Sequence, residues 1–110
     1  MTAFGPYPAI VDAWHDGDTC RLNLDLGFAI HLEDQPSCRI YGINAPELAT
    51  QAGKDALSYA TTLCPVGTKV YVVSHGWDKY GGRFDGSITL PNGTDFAELM
   101  LLAGQAAPLQ

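Results

Sequence analysis

Every even-numbered position from Cys20 to Leu32 is apolar: Cys20, Leu22, Leu24, Leu26, Phe28, Ile30 and Leu32. The odd positions among them include Arg21, Asn23, Asp25 and His31. A period of two predicts a half-buried strand or a pair of strands. Gly27, in mid-run, predicts the bend or bulge that lets a strand turn a barrel corner. Residues 8–14 form a shorter apolar run suited to a first strand, closed by the turn signal "DGD" at 16–18. After a loop at 33–37, residues 38–43 read as the next strand.

The period then changes. Leu48, Ala52, Ala56, Ala60 and Leu63 fall near helical spacing, which predicts one amphipathic helix, stopped by "CPVG" at 64–67. Residues 68–75 and 83–90 read as strands, the first of them rich in β-branched residues. Residues 95–104 predict a short second helix, with Asp95 near its N-cap and Gly104 as its stop. Three strands, a helix, two strands and a helix is the order of the Greek-key barrel called the OB-fold. The expected fold is therefore mainly β (α+β), a five-stranded OB-fold barrel with two short helices, as one domain over residues 1–110.

Composition narrows the function. Apolar residues make up 46% of the chain, enough for a folded core, while its longest apolar runs are too short to span a bilayer. No secretory signal is visible in "MTAFGPYPAIVDAW", so a cytoplasmic, membrane-free protein is expected. Cys20, Cys38 and Cys64 lack metal-ligand or Cys-x-x-Cys spacing and read as small buried hydrophobes in a reducing compartment. His15, His31 and His75 are scattered and read as surface or loop residues, and Trp14 and Trp77 as packing at the barrel rim.

The net charge of −6 argues against a protein that coats nucleic acid electrostatically. It leaves room for an enzyme that grips a phosphodiester locally. Of the six bases, Arg39, Lys79 and Arg83 fall inside two segments that look chemical.

Three motifs carry that chemistry, each with a plainer reading beside it. "HDGDT" at 15–19 is a β-turn, or it presents the Asp18 carboxylate to a hard cation. "INAPE" at 43–47 is a helix start, with Asn44 as N-cap and Glu47 completing a capping box. Alternatively it offers the Asn44 oxygen and a backbone carbonyl to the cation and leaves Glu47 to polarise water. "DKYGGR" at 78–83 is a polar hairpin loop, or it sets Arg83 at the barrel mouth with Lys79 and Tyr80 beside it. A guanidinium presents a planar fork of donors to phosphate oxygens, which suits Arg39 and Arg83 to the charge that develops on a phosphoryl group. Metal, water activation and two cations form a kit for phosphodiester hydrolysis.

The combination of "DGDT" (16–19), "DLGF" (25–28), Arg39 before "GINAPE", "DKYGGR" with Arg83, and "LMLLAGQA" resembles the staphylococcal nuclease (thermonuclease) family, in order and approximate spacing over residues 8–106. The variant looks most like its short bacterial and phage-encoded members. The resemblance implies an OB-fold nuclease that works as a monomer on DNA and RNA with Ca²⁺, for which Mg²⁺ or Mn²⁺ can substitute. It implies cleavage of the P–O5′ bond, leaving 3′-phosphates. By position it makes Asp18 and Asn44 metal ligands, with Ala45 contributing its carbonyl, and Glu47 the residue that orients or deprotonates the attacking water. Arg39 and Arg83 would hold the scissile phosphate, and Lys79 and Tyr80 the neighbouring one.

Four features depart from the family's pattern. Asn44 stands where its best-known members have Asp, so the metal site has one negative charge fewer. "YGGR" carries one glycine more than the usual "YGR". The segment between Glu47 and Gly53 is short, and the chain stops at Gln110 without a third helix or a nucleotide-stacking tyrosine. The rival expectation is a catalytically inactive OB-fold module that binds nucleic acid or a protein, associated with a phage. The acidic balance favours that rival, whereas the presence of Asp18, Arg39, Glu47 and Arg83 favours the enzyme.

Overall fold

The computed structural model describes residues 3–33, 37–79 and 81–109. Five strands close into a barrel: β1 (Phe4–Asp16), β2 (Thr19–Asp25), β4 (Ser37–Ile40), β6 (Lys69–Trp77) and β7 (Arg83–Thr89). Around the barrel they run β1-β6-β7-β4-β2, and β2 pairs back with β1. The pairing of β4 with β7 is parallel and the rest are antiparallel. Two helices, α1 (Gln51–Leu63) and α2 (Phe96–Leu102), accompany the barrel, so the expected OB-fold-like architecture with two short helices is the one observed.

Alternation builds the core. Cys20, Leu22 and Leu24 of β2, Cys38 and Ile40 of β4, Val70 and Val72 of β6, and Phe84 and Ile88 of β7 all point inward. The barrel interior is completed by Phe96 and Met100 of α2 and by Ala56 and Ala60 of α1. Small residues on the buried face of α1 let that helix lie close to the strands. Its N-cap is Thr50, so Leu48 lies outside the helix, and Gly53 is buried where the periodicity suggested Ala52. Asp95 caps α2 by accepting from the Glu98 N–H, as expected.

The long alternation divides. Its first half is β2; its second half turns at residues 27–30 into the two-residue β3 (His31–Leu32), which pairs with β2 alone. Phe28 is 98% exposed, and Ile30 and Leu32 are also exposed. The hairpin reaches past the barrel, so its even positions have no facing layer to bury them. Trp14 stacks on Phe96 and donates to the Cys64 carbonyl, a rim packing, whereas Trp77 is 69% exposed and corrects the same expectation for that residue. All three cysteines are buried and free. Among the described residues no helix is long and apolar enough to cross a membrane.

Two short strands escape the sequence pattern: β5 (Ile43–Asn44) and β8 (Ala107–Pro108), paired antiparallel. Each is only two residues long, below any readable period. Together they tie the C-terminal segment to the turn after β4.

Candidate functional site

The site is built where β2, β4 and the turn after β4 meet. Thr19 of β2, Arg39 of β4 and Asp85 of β7 lie side by side in register, on the face opposite the core positions Cys20, Cys38 and Phe84. Gly42, at φ +85°, makes the turn that follows Tyr41 without the penalty a side chain would incur there. That turn brings Asn44 and Ala45 back beside Asp18. Asn44 lies in β5, and α1 starts seven residues later, so the capping-box reading of "INAPE" is corrected: Thr50 is the cap.

Asp18 is the centre of the cluster. One carboxylate oxygen accepts from the Ala45 N–H at 2.8 Å, the other from the Thr19 hydroxyl at 3.1 Å. Its own N–H donates to Asp16 Oδ1 at 3.1 Å, which closes the Asp-Gly-Asp turn. Arg39 Nη2 stands 3.7 Å from Asp18 Oδ2 and donates to Asn44 Oδ1 at 3.2 Å. Gly17, in the middle of the turn, packs so closely that a Cβ there would meet Ala56 Cβ at 2.9 Å. Helix α1 therefore sets the position of Asp18.

Burial is the main reason the Asp18 carboxyl titrates above its ordinary range, and the neighbouring Asp16 carboxyl adds to it. The Ala45 N–H and the Arg39 charge oppose that rise. A buried carboxylate of this kind gains from any cation brought close to it.

Arg83 leads β7, where it stands in register with Ser37, two residues along from the Arg39–Asp85 pair. Its Nε lies 3.4 Å from Asp78 Oδ2. Asp85 thus has an arginine on each side. Its carboxyl is pushed above the ordinary range, first by burial and then by a hydrogen bond and like charge from Asp78, against the pull of Arg39 and Arg83. The sequence reading missed Asp85; its signal was the single acid in the strand "RFDGSITL", at a position that alternation assigns to the outer face.

Glu47 lies in the exposed loop between β5 and α1, and among the described residues its carboxylate makes no hydrogen bond or ion pair. Its carbonyl accepts from both the N–H and the hydroxyl of Thr50, and the Thr50 hydroxyl oxygen accepts from the Gly53 N–H. The helix cap therefore anchors the backbone that carries Glu47. Lys79 is exposed in the turn between β6 and β7, and Tyr80 lies outside the described residues.

Structure thus gathers Asp18, Arg39, Asn44 and Ala45 into one hydrogen-bonded cluster, and sets Arg83 on the same face as Arg39. Among the described residues no group of three His, Cys, Asp or Glu side chains is placed to hold a metal. A cation here would rely on one carboxylate, Asp18, with the neutral oxygens of Asn44 and Ala45. An all-oxygen set of this kind fits a hard ion such as Ca²⁺ by donor chemistry. No family model matches the chain, and no curated protein is significantly similar to it.

Proposed function

We propose that the chain is a metal-dependent, sugar-nonspecific phosphodiesterase of the thermonuclease type, acting on DNA and RNA. The observation that carries this reading is the convergence of Asp18, Arg39, Asn44 and Ala45, from two separate stretches of sequence, on one cluster beside Arg83. The resemblance of its motifs to the staphylococcal nuclease family supports it.

In this reading Asp18, Asn44 and the Ala45 carbonyl would hold Ca²⁺, which would supply positive charge to the reacting phosphate. Arg39 and Arg83 grip the phosphate oxygens and offset the charge that builds as phosphorus becomes pentacoordinate. Glu47, exposed and without a hydrogen-bond partner among the described residues, takes the proton from the attacking water. The water oxygen bonds to phosphorus as the P–O5′ bond breaks; the 5′ oxygen leaves as a hydroxyl, protonated by solvent, and the other fragment keeps a 3′-phosphate. Lys79, exposed in the turn before β7, would meet the adjoining phosphate, and the resemblance assigns Tyr80 to the same phosphate.

A second reading, a noncatalytic barrel that binds nucleic acid or a protein, is favoured by one observation. Both arginines already face carboxylates of their own chain, Asp18 for Arg39 and Asp78 for Arg83, with Asp85 between them. Incubation of single-stranded DNA and RNA with the protein in Ca²⁺, Mg²⁺, Mn²⁺ or EDTA separates the two. Cutting that needs the ion and leaves 3′-phosphate ends supports the enzyme; intact substrate under every ion supports the binding module.

A further inference from the structure

Beyond Arg83 the face opens into a groove of about 510 Å³. Its floor follows the register: Ala13 of β1 pairs with Arg21 of β2, Arg21 with Ser37 of β4, and Ser37 with Arg83 of β7. With neighbouring strands about 4.8 Å apart, Arg21 and Arg83 rise about 10 Å from each other across the floor. Ala13 and Ser37 are small, and Gly82 at the wall adds no side chain, which is why the row is a trough.

The groove differs in charge from the cluster beside it. Its described lining holds no carboxylate, but includes Arg21, Arg83 and His15 with the hydroxyls of Thr19 and Ser37. Arg21 is exposed and makes no hydrogen bond or ion pair with any described residue. Arg39 and Arg83 are both tempered by acids, so among the described residues Arg21 is the arginine of this face whose charge is left for a ligand. Two guanidinium groups, with a hydroxyl between them, over a trough the size of a nucleotide site form an oxyanion receptor.

We infer that the groove between Arg21 and Arg83 is a second phosphate subsite, which holds a neighbouring phosphodiester of the same single strand. The inference rests on the phosphodiester reading of the adjacent cluster, since Arg83 belongs to both. It gives the strand a direction, from the Arg39–Arg83 cluster across Ser37 towards Arg21. It also gives the second glycine of "YGGR" a role, as an open wall beside the passing strand.

The test is titration of a thymidine tetranucleotide into the Ca²⁺-supplemented Glu47→Ser protein, in which loss of the proposed base slows cutting of the probe, followed by backbone amide shifts and by binding at several salt concentrations. The expected result is movement of the Ser37, Gly81 and Gly82 amides. Arg21→Ala should then lower the slope of log affinity against log salt by about 0.7, the value for one single-strand phosphate contact. Arg21→Lys should restore the slope and Arg21→Glu should weaken binding further; Arg21 is exposed, so none of these changes burdens the core. Shifts confined to Arg39–Ala45, with an unchanged slope, would overturn the subsite and leave the phosphodiester reading standing. Groove shifts combined with a wild type that cuts under no ion would keep the subsite and remove the catalytic reading. No shift anywhere would overturn the subsite outright.

Discussion

Arg39 donates to the side-chain oxygen of Asn44 at 3.2 Å, so a cation of the chain itself already sits on an oxygen assigned to the metal. The same nitrogen lies 3.7 Å from Asp18. One guanidinium thus touches both side chains of the proposed cation site. Phosphate and metal would draw on a common set of atoms, and the neutral amide of Asn44 decides how strongly the metal competes.

Asn44→Asp follows from that relationship. A second carboxylate would add one negative charge to the cation site, and Ca²⁺ affinity is expected to rise about tenfold, or about 1.4 kcal/mol. Calorimetric titration of both proteins with Ca²⁺ measures it. Equal or weaker binding by the variant would remove residue 44 from the ligand set.

The Arg39–Asp18 pair also bears on stability, because both side chains are largely buried, 13% and 9% exposed. Arg39→Ala would leave the Asp18 charge with one partner fewer, at a cost of about 1–3 kcal/mol near neutral pH. In an Asp18→Asn background the same change should cost clearly less, since no charge remains to be compensated. Urea unfolding of the four proteins gives the coupling; costs that simply add would deny it.

Much of this arrangement was legible in the sequence, and the physical reason is alternation. The barrel face of β2 follows from Cys20, Leu22 and Leu24, and the outward Arg39 follows from its place between Cys38 and Ile40. The same rule failed at Phe28, Ile30 and Leu32, because period two reports two faces of a strand but not whether another layer covers one of them. Asp85 escaped notice because its importance comes from β4, which lies more than forty residues away along the chain and only one strand away in space. The pairing of β5 with β8 was equally hidden, since two-residue strands have no period.

Gly53 marks a close approach that no periodicity announces. A Cβ at this position would overlap the Glu47 carbonyl oxygen, so the first turn of α1 can lie against the Glu47 loop only with glycine there. Gly53→Ala should destabilise the fold by about 1–3 kcal/mol through overpacking against backbone. It should also lower cleavage measured well below the unfolding transition, because the Glu47 backbone must shift. Unchanged urea midpoint and activity would show that the loop yields freely.

Cys64 sets an alkaline limit. Burial pushes its thiol from 9.0 up to about 11, with further help from the charge of Cys20 and against a hydrogen bond from Thr68. Between those values the unfolded chain has lost the proton and the folded chain keeps it, so stability falls as pH rises from about 9 to about 11. Below 9 this contribution is constant. Urea midpoints across the range should fall more steeply for the wild type than for Cys64→Ala, and parallel curves would contradict the assignment.

Whether this barrel is a nuclease is decided by cleavage of single-stranded DNA in Ca²⁺, with wild type beside Glu47→Ser and Arg39→Ala and an EDTA control. Cutting is expected to stop in EDTA and to fall by roughly 10²–10³ in each variant, the usual loss when a charge donor or base leaves such a site. Cutting that persists at the wild-type rate in both variants would contradict that expectation, as would a wild type that leaves the DNA intact.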